Sequence, residues 1–270
     1  MPPSANDPTT NDPAHPAAGE ATAPQAAPAA PLARSVIELV WGAVATAMAV
    51  VYTAIFAPLA ALAGILGYPH LATPVTRMWA RLILGTCGVR VEIDGLENLA
   101  GLQTYVLVSN HQSFFDIFAV GAWMPGEPRF VAKRELEKIP VVGLAMRRSG
   151  HVMIDRAKGG QAIRKAIKTA RDGFSMVVFA EGTRFSDNRV HPFNDGAAWL
   201  AIATRQKCVP MAISGSAGFF PRGARIVRPG RRMRMAIGPA IDTAQLKGAD
   251  REALTRQLEE NVRALFRAEV

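Results

Sequence analysis

The chain has 270 residues, with 31 Lys and Arg against 22 Asp and Glu for a formal charge of +9, 49% hydrophobic residues and two cysteines. That length suffices for one large domain with a sizeable core plus appendages, and Cys87 and Cys208 alone exclude a disulfide framework or a cysteine-built metal site, so a reducing cytoplasmic setting is expected. The charge excludes an electrostatically indifferent surface: residues 34–270 carry +12, because residues 1–33 hold Asp7, Asp12 and Glu20 and no Lys or Arg, and such a body seeks phosphates, anionic headgroups, an acidic carrier protein or nucleic acid.

Residues 1–33 are rich in Pro and Ala and poor in large apolar side chains. They are expected to form a disordered tail, since they bury too little surface to offset ordering entropy. Residues 34–76 form the next unit. Leu39 to Thr76 contains no Asp, Glu, Lys or Arg, and Leu39–Ala57 as a helix would be about 28 Å long, close to a bilayer core. Pro58 is expected to break that helix. One spanning helix, or two helices bent at Pro58 and dipping into one leaflet, both fit; a pair of buried core helices is the soluble alternative. Arg77, Arg81 and Arg90 downstream place the body on the cytoplasmic side of an inner membrane.

Residues 77–270 alternate between two periods. Strands are predicted at Val89–Ile93, Tyr105–Ser109, Arg129–Ala132, His151–Ile154, Met176–Phe179, Val209–Ser214, near Ala224–Val227, and at Met233–Ile237. Helices are predicted at Phe115–Trp123, Leu136–Arg148, Gln161–Asp172, Ala197–Gln206 and Arg251–Phe266. This alternation implies an α/β domain with a largely parallel central sheet flanked by helices.

In such a sheet, functional loops sit at the carboxyl ends of strands. Asn110-His111-Gln112-Ser113-Phe114-Phe115-Asp116 follows the second predicted strand directly. Residues five apart cannot face the same way on a straight helix. With His111 in the turn and Asp116 in the first helical turn, however, the carboxylate can fold back onto one imidazole nitrogen and leave the other as an acceptor, as a general base requires. Lys133 and Arg134, Asp155 and Arg156, and Ala180-Glu181-Gly182-Thr183-Arg184 follow the next strands in the same manner. Cations gathered at the edge that carries a histidine make a phosphate pocket.

These residues together resemble the glycerophospholipid acyltransferase family, in particular bacterial 1-acyl-sn-glycerol-3-phosphate (lysophosphatidic acid) acyltransferases. Four ordered blocks carry the resemblance: Asn110-His111-x4-Asp116, Gly150 to Arg156, Val178 to Arg184, and Val209-Pro210, with Lys133-Arg134-Glu135-Leu136 and Ile139-Pro140 between the first two. The third block departs at Ala180, where the family usually has Pro, and at Phe185, where it often has Ser; neither change removes a charge.

The resemblance implies that His111 takes the proton from an acceptor hydroxyl attacking an acyl thioester, with Asp116 fixing the imidazole. It further implies that Glu181, Gly182, Thr183 and Arg184, with Arg156 and Lys133, bind the acceptor and its phosphate. No metal or resident cofactor is implied; acyl-CoA or acyl carrier protein is the acyl-donor substrate, and lysophosphatidic acid and membrane lipids are the partners. Val209-Pro210 is expected beside an acyl channel. A guanidinium at position 184 favours a phosphate-bearing acceptor over an uncharged one, while another lysolipid remains the alternative acceptor. The rival of another class is a basic, non-catalytic membrane- or nucleic-acid-binding protein, which the charge supports, but no recognition helix, zinc pattern or aromatic-basic interleaving is present, and a serine hydrolase would need a Gly-x-Ser-x-Gly elbow that the chain does not contain.

Overall fold

The computed structural model describes residues 32–154, 159–220 and 224–269. Seven strands, β1 (Arg90–Asp94), β2 (Val106–Ser109), β3 (Pro128–Lys133), β4 (Val152–Ile154), β5 (Ser175–Phe179), β6 (Cys208–Ser214) and β7 (Arg232–Ile237), form one sheet in the order β1-β7-β6-β2-β5-β3-β4. Neighbours run parallel except β6 and β7, which pair antiparallel. Every residue of β2 and β6 is buried. Their unbroken apolar runs follow from helices covering both faces.

Alternation along the strands divides the core in two. Leu107, Val177, Val209 and Met211 face one way, onto Ile83 and Leu84 of α2 (Ala72–Thr86) and Ala119 of α3 (Phe115–Trp123). Val106, Val108 and Met176 face the other way. They pack on Ala166 of α5 (Gly159–Arg171), Leu200 of α6 (Gly196–Thr204) and Leu254 and Leu258 of α7 (Arg251–Leu265).

Three elements differ from the sequence reading. Ala224–Val227 is not a strand. Its buried Val227 serves instead as a plug against the first helix, α1 (Leu32–Ile65), where the Val227 N–H donates to Thr46 Oγ1 at 3.1 Å. Leu136–Arg148 is not one helix but a 3₁₀ segment over Arg134–Lys138 followed by α4 (Val142–Arg148). Pro140 intervenes, and the residue after it, Val141, is held at φ 63°, so the chain cannot stay helical there.

Finally, α1 runs unbroken through Pro58. A proline removes one ladder bond and crowds the preceding turn, but here the helix is clamped on both sides of it. Upstream, Tyr52 Oη and Thr86 Oγ1 are hydrogen-bonded at 3.1 Å and Trp79 Nε1 donates to Thr53 Oγ1 at 3.1 Å. Downstream, Ala60 and Ala61 pack with Ala72 and Ala145. Over Ser35–Ile65, α1 is long and apolar enough to cross a membrane, with a mean hydropathy of 2.0. Its outer face leaves Val40, Val44, Val51, Ile55, Leu59 and Leu62 exposed, so it is not a buried core helix.

Candidate active site

The turn that carries His111 is held off the sheet by Asn110. Its side-chain amide donates to the Ile213 carbonyl and accepts from the Ile213 N–H, both at 2.8 Å, which ties the end of β2 to β6. The chain then reverses over Gln112 and Ser113 into α3. Asp116 lies in the first turn of that helix, fully buried, and one carboxylate oxygen, Oδ2, receives the Gln112 N–H at 2.7 Å and the Ser113 N–H at 2.9 Å. The same oxygen is 2.8 Å from His111 Nδ1. An oxygen that already accepts two amides acts as an acceptor toward the ring as well, so Nδ1 carries the proton and Nε2, on the opposite edge, is left with its lone pair. The imidazole is further fixed by stacking on Phe179, the last residue of β5, with centroids 4.0 Å apart and planes 12° apart. Its side chain is 12% exposed, enough to meet a substrate without being immersed in water.

Glu181 and Arg184 leave the carboxyl end of β5, next to β2. Both Glu181 oxygens are engaged by backbone amides, Oε2 by the His111 N–H at 3.0 Å and Oε1 by the His191 N–H at 2.9 Å. Burial pushes this carboxyl up to about 7, opposed by those two bonds. The following loop closes over the His111 turn: the Phe185 N–H donates to the His111 carbonyl at 3.0 Å and Ser186 Oγ to the Gln112 carbonyl at 3.2 Å. Gly182 makes the sharp exit from the strand possible, with φ 71° and its N–H on the Phe179 carbonyl at 3.0 Å. Arg184 lies with its guanidinium carbon 3.7 Å from the centroid of the Phe114 ring.

His111, Phe179, Gly182, Arg184 and Ser186 border a cavity of about 540 Å³, which Asp116 and Glu181 do not line. Its lining includes His111, Phe114, Gly182, Thr183, Arg184 and Lys133, together with residues of β3 and α4, Phe56, Ala57 and Ala60 of α1, and Thr73, Ser149 and His151. Most of this lining is apolar. His151 belongs to a block singled out in the sequence, but its role here is architectural: Nδ1 accepts the Phe130 N–H at 3.0 Å, and burial, helped by the charge of Arg129, pushes the ring down to about 3. Arg156 lies outside the described residues. Val209 and Pro210 lie in β6 and do not line the cavity; Val209 is core, and the Pro210 carbonyl receives the Gly238 N–H at 2.8 Å.

The structure thus brings His111, Asp116, Lys133, Glu181, Gly182, Thr183 and Arg184 to one edge. Sequence reasoning missed Phe114, Phe179 and the α1 residues of the wall. Phe114 and Phe179 stand inside the quoted blocks, so their signal was position; nothing in an apolar helix announces which side faces a cavity.

Residues 90–214 match the family described as Acyltransferase. Over 184 residues, 67% of this chain, the sequence is 33% identical to the sheep (Ovis aries) 1-acyl-sn-glycerol-3-phosphate acyltransferase alpha, and it is 34% identical over 181 residues to the 1-acyl-sn-glycerol-3-phosphate acyltransferase of Saccharomyces cerevisiae. The chain spans 64% of the length of the sheep protein and 59% of the yeast protein. The crystal structure of the 1-acyl-sn-glycerophosphate (LPA) acyltransferase PlsC from Thermotoga maritima superposes with a TM-score of 0.74 at 25% identity, covering 86% of this chain and 95% of that one. Residues 90–214, which hold both the His111–Asp116 turn and the Arg184 loop, thus form a domain of the acyltransferase family.

Proposed function

We propose that the protein transfers an acyl chain from a thioester, acyl-CoA or acyl carrier protein, to the 2-hydroxyl of 1-acyl-sn-glycerol-3-phosphate, giving phosphatidic acid for phospholipid synthesis. One juxtaposition carries this reading: His111, paired at 2.8 Å with the buried Asp116, lines a mostly apolar cavity that Arg184 and Lys133 also line. His111 Nε2 accepts the proton as the acceptor oxygen attacks the thioester carbonyl, the carbon–sulfur bond breaks, and the proton passes on to the departing thiolate. Asp116 holds the imidazole and balances its transient charge. A thioester is already activated, so these residues need no acyl-enzyme. Arg184 and Lys133 hold the acceptor phosphate, and the apolar cavity holds an acyl chain.

We read residues 34–76 as membrane-associated and residues 77–270 as the acyltransferase domain, facing the cytoplasm at the inner membrane. The packing of α1 favours lying in one leaflet over crossing. It is docked on the body at Trp41, whose Nε1 donates to the Thr86 carbonyl at 2.9 Å, and again at Gly64, where a Cβ would meet the Arg148 backbone. Those points are about 35 Å apart at 1.5 Å per residue, with exposed Arg225 and Arg228 in the loop at one end and exposed Arg148 at the other. A helix flanked by a charged body along its whole length suits the headgroup boundary.

The test offers the purified protein a panel of lysolipids with a labelled acyl thioester from each donor class and identifies the product by mass. Label appearing in phosphatidic acid supports the reading; label appearing only in another lipid moves the assignment to that acceptor.

A further inference from the structure

We propose that Phe114 is a positioning residue for the acceptor phosphate. Its ring face carries the Arg184 guanidinium and so sets where the phosphate is held relative to His111. The inference rests on the phosphate reading of Arg184 and goes beyond it. Phe114 lies three residues after His111, in αR geometry at the N-terminus of α3, and is 37% exposed. Among the described residues it belongs to none of the buried core clusters. What it touches is the Arg184 guanidinium, 3.7 Å from its centroid, and, more loosely, Phe220 at 6.4 Å and 53°. All three border the cavity that His111 borders.

Stacking suits the task for two reasons. A guanidinium lying on a ring face directs its N–H fork edge-on, in the plane in which two phosphate oxygens are met. It also loses rotamer freedom before the ligand arrives, which lowers the entropy cost of binding. Because Phe114 and His111 belong to one turn, pinned by the three bonds to Asp116 Oδ2 from Gln112 N, Ser113 N and the His111 ring, the platform and the base move together. The acceptor's hydroxyl is thereby set at a fixed offset from its phosphate.

The experiment compares Phe114→Leu, Phe114→Trp, Phe114→Tyr and Arg184→Ala with the unchanged protein in mixed micelles, measuring kcat and KM for lysophosphatidic acid, for a monoacylglycerol that lacks the phosphate, and for the acyl thioester. Leucine keeps apolar bulk and loses the ring. Phe114→Leu should raise the KM for lysophosphatidic acid roughly threefold to thirtyfold, with the KM for the thioester and for the monoacylglycerol nearly unchanged. Tyrosine and tryptophan should restore the original KM. An unchanged KM in Phe114→Leu alongside a raised KM in Arg184→Ala overturns the proposal and leaves the phosphate reading standing. Equal losses on both acceptors also overturn it, by showing that the ring touches the glycerol or the chain. If Arg184→Ala itself fails to distinguish the two acceptors, the phosphate reading falls and the proposal falls with it.

Discussion

At the scale of single residues, the site is a set of acceptors and donors whose partners are fixed before substrate arrives. His111→Ala should lower acyl transfer about a hundredfold to ten-thousandfold, the range for loss of a general base, while circular dichroism and the melting curve stay those of the parent protein. Asp116→Asn should lose less, because an amide oxygen can take the place of Oδ2 under the Gln112 and Ser113 amides and keep the turn intact, so only the charge is missing. If the asparagine variant were the worse of the two, Asp116 would be acting chiefly on the fold. Arg184→Ala should reduce kcat/KM on lysophosphatidic acid by about tenfold to a hundredfold, as expected for losing charge-assisted bonds of about 1.5–3 kcal/mol, and Arg184→Lys should recover only part, having the charge without the fork.

Glu181 adds a pH signature. Burial raises it from 4.5 to about 7 in the folded protein. Between those values the folded chain keeps a proton that the unfolded chain has released. Stability contributed by this group is therefore present below about pH 4.5 and is lost as pH rises through about 7, with a slope of at most about 1.4 kcal/mol per unit. The melting temperature of the parent protein relative to Glu181→Gln should decline across that window and then level off; a constant difference would show that burial does not govern the carboxyl.

Among elements, legibility followed how local the deciding interactions were. The α3 span, Phe115–Trp123, was readable to the residue because its start is set within five residues by the Asp116 turn. β2 and β6 were readable because both their faces are buried and their runs are continuous. Local signals misled where a distant partner decided. The apolar pair Ile226 and Val227 looks like a strand, but its partner is Thr46, 181 residues away. Pro58 reads as a stop, and it is overridden by contacts with Thr86, Trp79 and Ala145 that no window of sequence contains. The same logic gives a test of α1. Val51→Glu with Ile55→Glu puts charge on its exposed face without touching the packed one, and should release the protein from anionic vesicles in a flotation assay while activity on a short-chain soluble acceptor persists. Full retention on vesicles would mean that the cationic loops suffice for attachment.

For the whole molecule, the sheet supplies the edge and α1 and α2 supply the far wall of the cavity, so the body and its apolar appendage form one working unit. Gly64 marks the seam. A Cβ there would meet the Arg148 backbone, and backbone cannot rotate aside as a side chain can. Gly64→Val should therefore lever α1 away from α4 and destabilise by about 1–3 kcal/mol, visible as a lower melting temperature. An unchanged melting temperature would show that the seam is slack.

The two-sidedness of α1 has an engineering consequence. Thr53, Phe56, Ala57 and Ala60 look into the cavity while Val51, Ile55, Leu59 and Leu62 look outward. On the proposed function the helix is partition and mooring at once, and neither role can be exchanged separately. A chimera in which α1 is swapped for an unrelated membrane helix would regain its berth at the lipid surface with one side of its acyl chamber missing, whereas grafting α1, α2 and α4 as a block would carry the chamber along with the anchor.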